Sequence, residues 1–249
     1  MAMDEAVNLP SFSVAGKVTI ITGASRGIGN ALARGFAASG AAVVLVARSK
    51  IDLDAAVRQL ESSGGKALAV PADVADEAQV SNMVRRTQDV FGRIDVLINC
   101  AGGTGADRSI PVLEMDLEIW KRIVDLNLKS AYLCCRAVAR VMVEQKRGCM
   151  INFSSGTGVH PVHGMTHYGP AKAGINQLTR MLAVELGRYN IRVNAIRRVS
   201  LILKPNASIC RRRRSRNIPK RFLWGEWGNL AISSAPRCSW PRMPQPISA

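Results

Sequence analysis

The sequence predicts an α/β protein: a doubly wound parallel sheet with helices on both faces, in a single domain. Three observations carry that expectation. Strand-like apolar runs and helical stretches alternate six times over residues 17–196 with short links, the pattern of a parallel sheet joined by crossover helices. The run Ala41–Ala47 is apolar at every position, as in a strand covered on both faces. Residues 17–38 read as strand, glycine-rich turn and helix, the opening unit of such a sheet.

The chain has 249 residues, 47% of them apolar, enough for one sizeable core. Its first ten residues hold two acids and no apolar segment, so they do not read as a secretory signal. No apolar run approaches the roughly 20 residues that cross a bilayer. The six cysteines include no C-x-x-C pair and read as small core residues in a reducing compartment; a cytoplasmic location is expected.

Lys17–Ile21 is a short strand rich in β-branched residues. It runs into Thr22–Gly29, T-G-A-S-R-G-I-G, ahead of a helical stretch from Asn30 to Ala38. Glycines there let backbone approach a diphosphate, and the helix start offers unpaired N–H groups and a positive dipole end. Gly23, Ser25, Arg26, Gly27, Ile28 and Gly29 are therefore candidate dinucleotide-binding residues. The plainer alternative is a tight strand-to-helix turn. A ribose-binding carboxylate is expected roughly 20 residues beyond such glycines, but Ala47-Arg48-Ser49-Lys50 stands there without an acid. Arg48, with Arg26, suits a 2′-phosphate, which guanidinium binds bidentately. NADP(H) is expected in preference to NAD(H); the alternative is that Arg48 and Lys50 are solvated loop charges.

Asp52–Ser63 reads as a helix closed by Gly64-Gly65, and Ala67–Val70 as the next strand, leading to Asp73-Val74. Asp76 can cap a helix whose Val80, Met83, Val84, Thr87 and Phe91 recur at helical spacing. Ile94–Ile98 is a fourth strand emptying into Asn99-Cys100-Ala101-Gly102-Gly103, a small-residue loop where doubly wound sheets hold ligands. Two helices are expected over about 114–126 and 128–146, with Trp120, Ile123, Val124, Tyr132, Leu133, Val138, Val141 and Met142 as their apolar stripe. Asn127 lies between Leu126 and Leu128. A buried amide needs partners, so it is either a core hydrogen-bonding residue or part of an active centre. Met150–Phe153 reads as a buried strand, a helix runs on to about Gly187, and Ile191–Ile196 is the sixth strand.

The stretch from Ser155 to Lys172 carries the chemistry. Tyr168 and Lys172, four apart, project from one helix face, and Ser155 precedes the tyrosine by thirteen residues at a strand end. A loop rich in Gly, His and Pro can bring the three together. An ammonium beside a phenol favours the phenolate and brings its pKa from about 10 toward working pH, as acid–base catalysis requires. A surface Tyr–Lys pair on an amphipathic helix is the alternative. His160, His163 and His167 lie just before the tyrosine, with no Cys, Asp or Glu nearby and with Pro161 and Gly164 interrupting any helix. No metal site is expected; these residues, with Met165 and Gly103–Arg108, are expected to line a substrate mouth.

Residues 14–196 resemble the short-chain dehydrogenases/reductases. The glycine motif T-G-x-x-x-G-x-G falls on Thr22–Gly29, D-V on Asp73-Val74, and N-x-A-G on Asn99–Gly102, with Cys100 replacing the usual second asparagine. The family's helix asparagine falls on Asn127, and its serine, tyrosine and lysine on Ser155, Tyr168 and Lys172. The resemblance implies a Rossmann-like fold and hydride transfer between NADP(H) and a ketone, 3-oxoacyl thioester or secondary alcohol. It implies Tyr168 as general acid/base, Ser155 polarising the substrate oxygen, and Lys172 holding the nicotinamide ribose while lowering the tyrosine pKa. Asn127 would hold a water linked to the lysine. Asp73, Val74, Asn99, Ala101 and Gly102 join the glycine turn, Arg48, Tyr168 and Lys172 as implied cofactor contacts. A homodimer or homotetramer packed through the long helices around 114–146 and 168–187 is implied as well.

The net charge of +16 divides unevenly. Residues 1–196 hold 22 Lys and Arg against 17 Asp and Glu, whereas residues 197–249 hold twelve against the single Glu226. Where the family continues with Pro-Gly, a threonine-bearing loop and a last strand ending in Asp-Gly-Gly, this chain has Arg197-Arg198-Val199-Ser200, then Arg211–Arg214 and three tryptophans. The expected division is a cofactor-binding domain over 1–196 and an atypical basic segment over 197–249. A change in mid-motif indicates an out-of-frame segment from about residue 198, with the final strand and substrate lid missing. A basic tail binding nucleic acid through the arginine run is the less favoured reading. Without the lid, the alternative to a working reductase is an impaired scaffold that only binds cofactor or partner.

Overall fold

A computed structural model describes residues 13–198. The expectations for residues 199–249, the out-of-frame segment and the missing last strand among them, lie outside the described residues.

Six strands form one sheet: β1 (Val18–Thr22), β2 (Ala42–Ala47), β3 (Lys66–Pro71), β4 (Val96–Asn99), β5 (Gly148–Ser155) and β6 (Ile191–Arg198). Their order is β3-β2-β1-β4-β5-β6, and every neighbouring pair is parallel. The chain winds outward from β1 to β3, then returns to lay β4 on the other side of β1. That reversal opens a crevice at the C-terminal ends of β1 and β4, where ligands bind in such sheets.

The helices are α1 (Gly27–Ala38), α2 (Lys50–Ser62), α3 (Glu77–Phe91), α4 (Leu117–Val124), α5 (Ser130–Gln145) and α6 (Tyr168–Leu186). Adjacent strand residues serve opposite layers, as the pleat requires. Ile21, Leu45 and Ile98 pack with Ala33 of α1 and with Leu53 and Leu60 of α2. Ile20, Val44, Leu97 and Met150 pack with Met83 of α3, with Leu133, Val138 and Met142 of α5, and with Leu186 of α6. Each fully buried aliphatic side chain contributes about 1.5–3 kcal/mol.

Caps set most boundaries. Ser49 accepts from the Asp52 N–H at 3.3 Å and Asp76 from the Gln79 N–H at 3.0 Å, so α2 begins before Asp52 and α3 where Asp76 suggested. Asp116 accepts from the Glu118 and Ile119 N–H groups, which starts α4 at Leu117 instead of about 114.

The two helices expected on either side of residue 127 are instead one run, α4 passing into α5 through a π turn at Asp125–Lys129. Asn127 Nδ2 donates to the Ile123 carbonyl at 2.8 Å. That carbonyl is the one a regular helix pairs with the N–H of residue 127, so the side chain displaces the ladder bond and the helix widens. The expected apolar stripe is also narrower: Ile123, Leu133, Val138, Val141 and Met142 are buried, but Trp120 and Tyr132 are exposed. β6 continues two residues past Ile196, with Arg198 opposite Ser155 of β5.

Candidate active site

Thr22, Asn99 and Asn152 stand in one row across β1, β4 and β5. Thr22 Oγ1 accepts from the Cys100 and Ala101 N–H groups, both at 3.1 Å, and so ties the loop after β4 to the turn after β1. The turn is packed against that loop. A Cβ on Gly23 (φ +69°) would stand 2.9 Å from the Ala101 backbone, and one on Gly29 only 2.3 Å from the Gly23 carbonyl oxygen. Side chains are excluded there by backbone, which does not yield.

The other side of the turn is open. Arg26, Gly27 and Ile28 are exposed, and nothing lies within 4 Å of where a Gly27 Cβ would be. Arg26, at the N-cap, supplies no side-chain hydrogen bond to the start of α1. The first turns of α2, α3 and α4 each carry an acid, and that of α1 carries none. Uncapped N–H groups, a positive dipole end and open space suit a diphosphate.

Beyond β2, Lys50 pairs with Asp54 at 2.5 Å. Arg48 is exposed and joins no ion pair among the described residues. Asp73 and Val74 follow β3. Val74 is buried, and the Asp73 carboxylate accepts from the Ala75 N–H at 2.9 Å. Asn99 spends its amide inside the core, on Asn152 Oδ1 at 2.9 Å and Cys135 Sγ at 3.2 Å. Its side chain thus anchors the Ala101–Gly102 loop from within.

Asn127 is buried and holds Gly103 from both sides: Oδ1 accepts from the Gly103 N–H and Nδ2 donates to the Gly103 carbonyl, each at 2.9 Å. Gly102 lies between this amide and Lys172. A Cβ there would be 2.5 Å from Asn127 Oδ1 and 3.3 Å from Lys172 Nζ, so both side chains converge on one glycine.

Lys172 is 4% exposed. Its Nζ donates to the Phe153 carbonyl at 2.8 Å and stands 5.5 Å from the centre of the Tyr168 ring. Burial lowers its pKa from 10.5 to about 8, against a smaller opposing pull from the Cys100 thiol. No carboxylate pairs with it among the described residues. A buried lysine without a counter-charge marks a functional position.

Ser155 ends β5 and Tyr168 begins α6. The short 3₁₀ turn Gly156–Gly158 lies directly on α6: a Cβ on Gly158 would be 2.7 Å from the Lys172 carbonyl carbon, and one on Gly169 3.2 Å from the Thr157 oxygen. Ser155 Oγ accepts from the Thr157 N–H and Thr157 Oγ1, bonds that leave its own hydroxyl hydrogen to donate.

Of the three histidines, His160 and His163 are exposed, and His167 is buried against the Asp107 carbonyl. Sequence reasoning placed Thr22 in the glycine motif without a bonding role, and it missed the chain Asn99–Asn152–Thr179, which continues through Asn152 Nδ2 to Thr179 Oγ1 at 3.0 Å. A polar residue inside the apolar run Met150–Phe153 was the available signal, since a buried amide demands partners.

The short chain dehydrogenase family model matches residues 17–199. The chain belongs to the short-chain dehydrogenases. Such enzymes are NAD(P)-dependent dehydrogenases and reductases acting on CH–OH and carbonyl groups, and this chain is one of them. It is 42% identical over 181 residues to the 3-oxoacyl-[acyl-carrier-protein] reductase of Synechocystis, covering 72% of each protein. Over 181 residues it is 38% identical to the corresponding reductase of Thermotoga maritima, covering 73% of this chain and 72% of that one. A 7 alpha-hydroxysteroid dehydrogenase complexed with NADH and 7-oxo glycochenodeoxycholic acid superposes with a TM-score of 0.71 at 33% identity, over 74% of this chain and 71% of that one. The open, uncapped start of α1 and the glycines packed against backbone at Gly23 and Gly29 fit the dinucleotide that this family of dehydrogenases uses.

Proposed function

We propose that this dehydrogenase reduces a ketone of the 3-oxoacyl thioester class with NADPH. The carrying observation is Lys172: buried, without a carboxylate, and adjacent to Tyr168, Gly102 and Asn127. The 3-oxoacyl-[acyl-carrier-protein] reductases among its relatives support the substrate class. Arg48, in the stretch Ala47–Lys50 that ends β2 without an acid, supports the phosphorylated dinucleotide.

When bound, the nicotinamide supplies the hydride for the carbonyl carbon. The chain's own residues handle the proton and the orientation. Tyr168 donates its phenolic proton to the substrate oxygen, and the Lys172 ammonium stabilises the phenolate left behind. Ser155 donates its free hydroxyl hydrogen to the same oxygen, polarising it as negative charge develops. Gly23, Ser25, Arg26, Gly27, Ile28 and Gly29 would hold the diphosphate, and Asp73, Val74, Ala101 and Gly102 would line the rest of the dinucleotide, with Asn99 anchoring the Ala101–Gly102 loop from within. One Oδ1 lone pair of Asn127 remains beyond its bond to Gly103, and a relay water toward Lys172 would sit there.

The same reading has the chain pair with a second copy through α4–α5 and α6, on which Tyr132, Met181 and Val184 are exposed; light scattering checks it. A cytosolic location rests on the free thiols of Cys100, Cys134, Cys135 and Cys149. Among the described residues no helix is long and apolar enough to cross a membrane.

The experiment is NADPH oxidation with a panel of carbonyl substrates, comparing wild type with Tyr168→Phe. General acid catalysis contributes about 10²–10⁴-fold, so the variant should lose that much in kcat while still binding dinucleotide. Equal rates end the tyrosine mechanism.

A further inference from the structure

His167 sits one residue ahead of Tyr168, and its imidazole is fully buried. Nε2 lies 2.8 Å from the Asp107 carbonyl oxygen. A carbonyl only accepts, so Nε2 carries the hydrogen and the ring is the donor. Nδ1 then presents a buried lone pair without a partner. An unpaired buried acceptor is unfavourable, and a phenylalanine would fill the same space without it. The imidazole therefore offers this site something packing does not: a donor aimed at residue 107.

Asp107 is fixed twice, because its carboxylate also pairs with Arg122 of α4 at 2.6 Å. The other end of the same loop is fixed by Asn127, which grips Gly103. A further bond joins the continuation of this loop to the one before α6, from the Ile110 N–H to the Gly164 carbonyl at 3.0 Å, and Trp120 Nε1 on α4 donates to the Thr166 carbonyl at 3.2 Å. The two loops touch closely enough that a Cβ on Gly164 would fall 2.3 Å from Ser109 Oγ.

We propose that His167 is a positioning residue, holding the Gly103–Arg108 loop against the start of α6 so that a carbonyl substrate is gripped between that loop and Tyr168. The inference rests on the reductase reading above and adds to it the element that confines the substrate. Loss of the donor removes one of the two ties on Asp107 and loosens the loop there, with Tyr168 and the dinucleotide seat left in place, so substrate affinity falls before turnover does.

The test compares wild type, His167→Phe and His167→Gln, since glutamine places an N–H donor at about the reach of Nε2. Steady-state kinetics use acetoacetyl-coenzyme A with saturating NADPH. Dinucleotide affinity is read by fluorescence titration, and amide hydrogen exchange follows residues 104–110 in the protein alone. The phenylalanine variant should raise KM for the carbonyl substrate about tenfold, the size of one hydrogen bond, with kcat and dinucleotide affinity close to wild type and faster exchange in the loop. Glutamine should restore KM and exchange. A purely structural role would lower the folded fraction, and with it apparent kcat, at unchanged KM. Wild-type KM and exchange in His167→Phe, or a glutamine variant no better than phenylalanine, overturn the proposal. Wild type inert toward every carbonyl sinks the reductase reading instead, and the exchange comparison still decides whether His167 clamps the loop.

Discussion

Lys172 Nζ stands 5.5 Å from the centre of the Tyr168 ring while it donates to the Phe153 carbonyl on β5. One ammonium thus spans the last turn of the sheet's logic: it is anchored to a strand, buried beneath a glycine loop, and set beside the phenol at the head of α6.

That placement has a pH signature. Burial lowers the Lys172 pKa from 10.5 to about 8, so between those values the unfolded chain binds a proton that the folded chain does not. Stability rises with pH wherever the unfolded state holds more protons. Below about pH 8 the folded protein bears the full cost of a buried ammonium, about 3 kcal/mol at 1.36 kcal/mol per unit. The cost disappears as pH climbs toward 10.5. Denaturant unfolding of wild type and Lys172→Met, each from pH 7 to 10.5, isolates it, because other titrating groups cancel in the difference. Wild type should gain on the variant across that window; a flat difference would mean the lysine is not desolvated in the folded state.

The proposed preference for NADPH rests on Arg48. Lys50 is engaged by Asp54, which leaves Arg48 as the cation after β2 outside the ion pairs of the described residues. Charge-assisted hydrogen bonds contribute about 1.5–3 kcal/mol. Arg48→Asp should therefore weaken NADPH about 10- to 100-fold and improve NADH, the carboxylate now meeting ribose hydroxyls. Matched KM values for both dinucleotides in wild type and variant would remove Arg48 from the site.

The fold was legible from residue pattern because the physics is local: a seven-residue apolar run rich in valine and bounded by turn residues reads as a doubly covered strand, and glycines at a strand end read as a turn. The glycine turn, Lys172 and the Ser155 strand end could be placed for the same reason. The joining of α4 to α5 was not legible, since it depends on one side-chain amide outcompeting a backbone N–H for the Ile123 carbonyl. Asn127 itself read two ways, and the structure shows it bonded to Gly103, 24 residues away. Thr22 and Asn152 were given no bonding role, and His167 was expected to line a substrate mouth but is buried against Asp107, because their partners are distant in sequence: Ala101, Asn99 and Asp107. Polar pairing across the fold leaves no periodic trace.

Glycines of α1 separate packing from propensity. Gly29 has no room, its Cβ falling 2.3 Å from the Gly23 carbonyl oxygen, whereas Gly35 has nothing within 4 Å. Gly35→Ala should stabilise by about 0.5–1 kcal/mol, the helix preference for alanine. Gly29→Ala should destabilise and abolish dinucleotide binding, since the turn must open to admit the methyl. Thermal melts with and without NADPH check both; comparable melting temperatures for the two variants would refute the close approach of helix and turn.

The segment after β6 yields the last prediction. Among the described residues β6 pairs only with β5, and its second half is exposed from Asn194 to Arg197, Ile196 being 47% so. An outer strand with apolar side chains in water is a liability that folds usually cover. The family match ends at residue 199, one residue beyond the strand, and there the sequence changes to a basic, acid-poor composition. We propose that residues from about 198 onward are read out of frame. The nucleotide sequence around codon 197 should then show a one- or two-base insertion or deletion whose correction restores Pro-Gly after the strand. The corrected chain, with its outer strand covered, should melt at least about 5 °C higher, because in a chain of this size about 2 kcal/mol moves the melting temperature by that much. An intact frame, together with peptides from residues 199–249 in the expressed protein, would show instead that the basic segment is the chain's own.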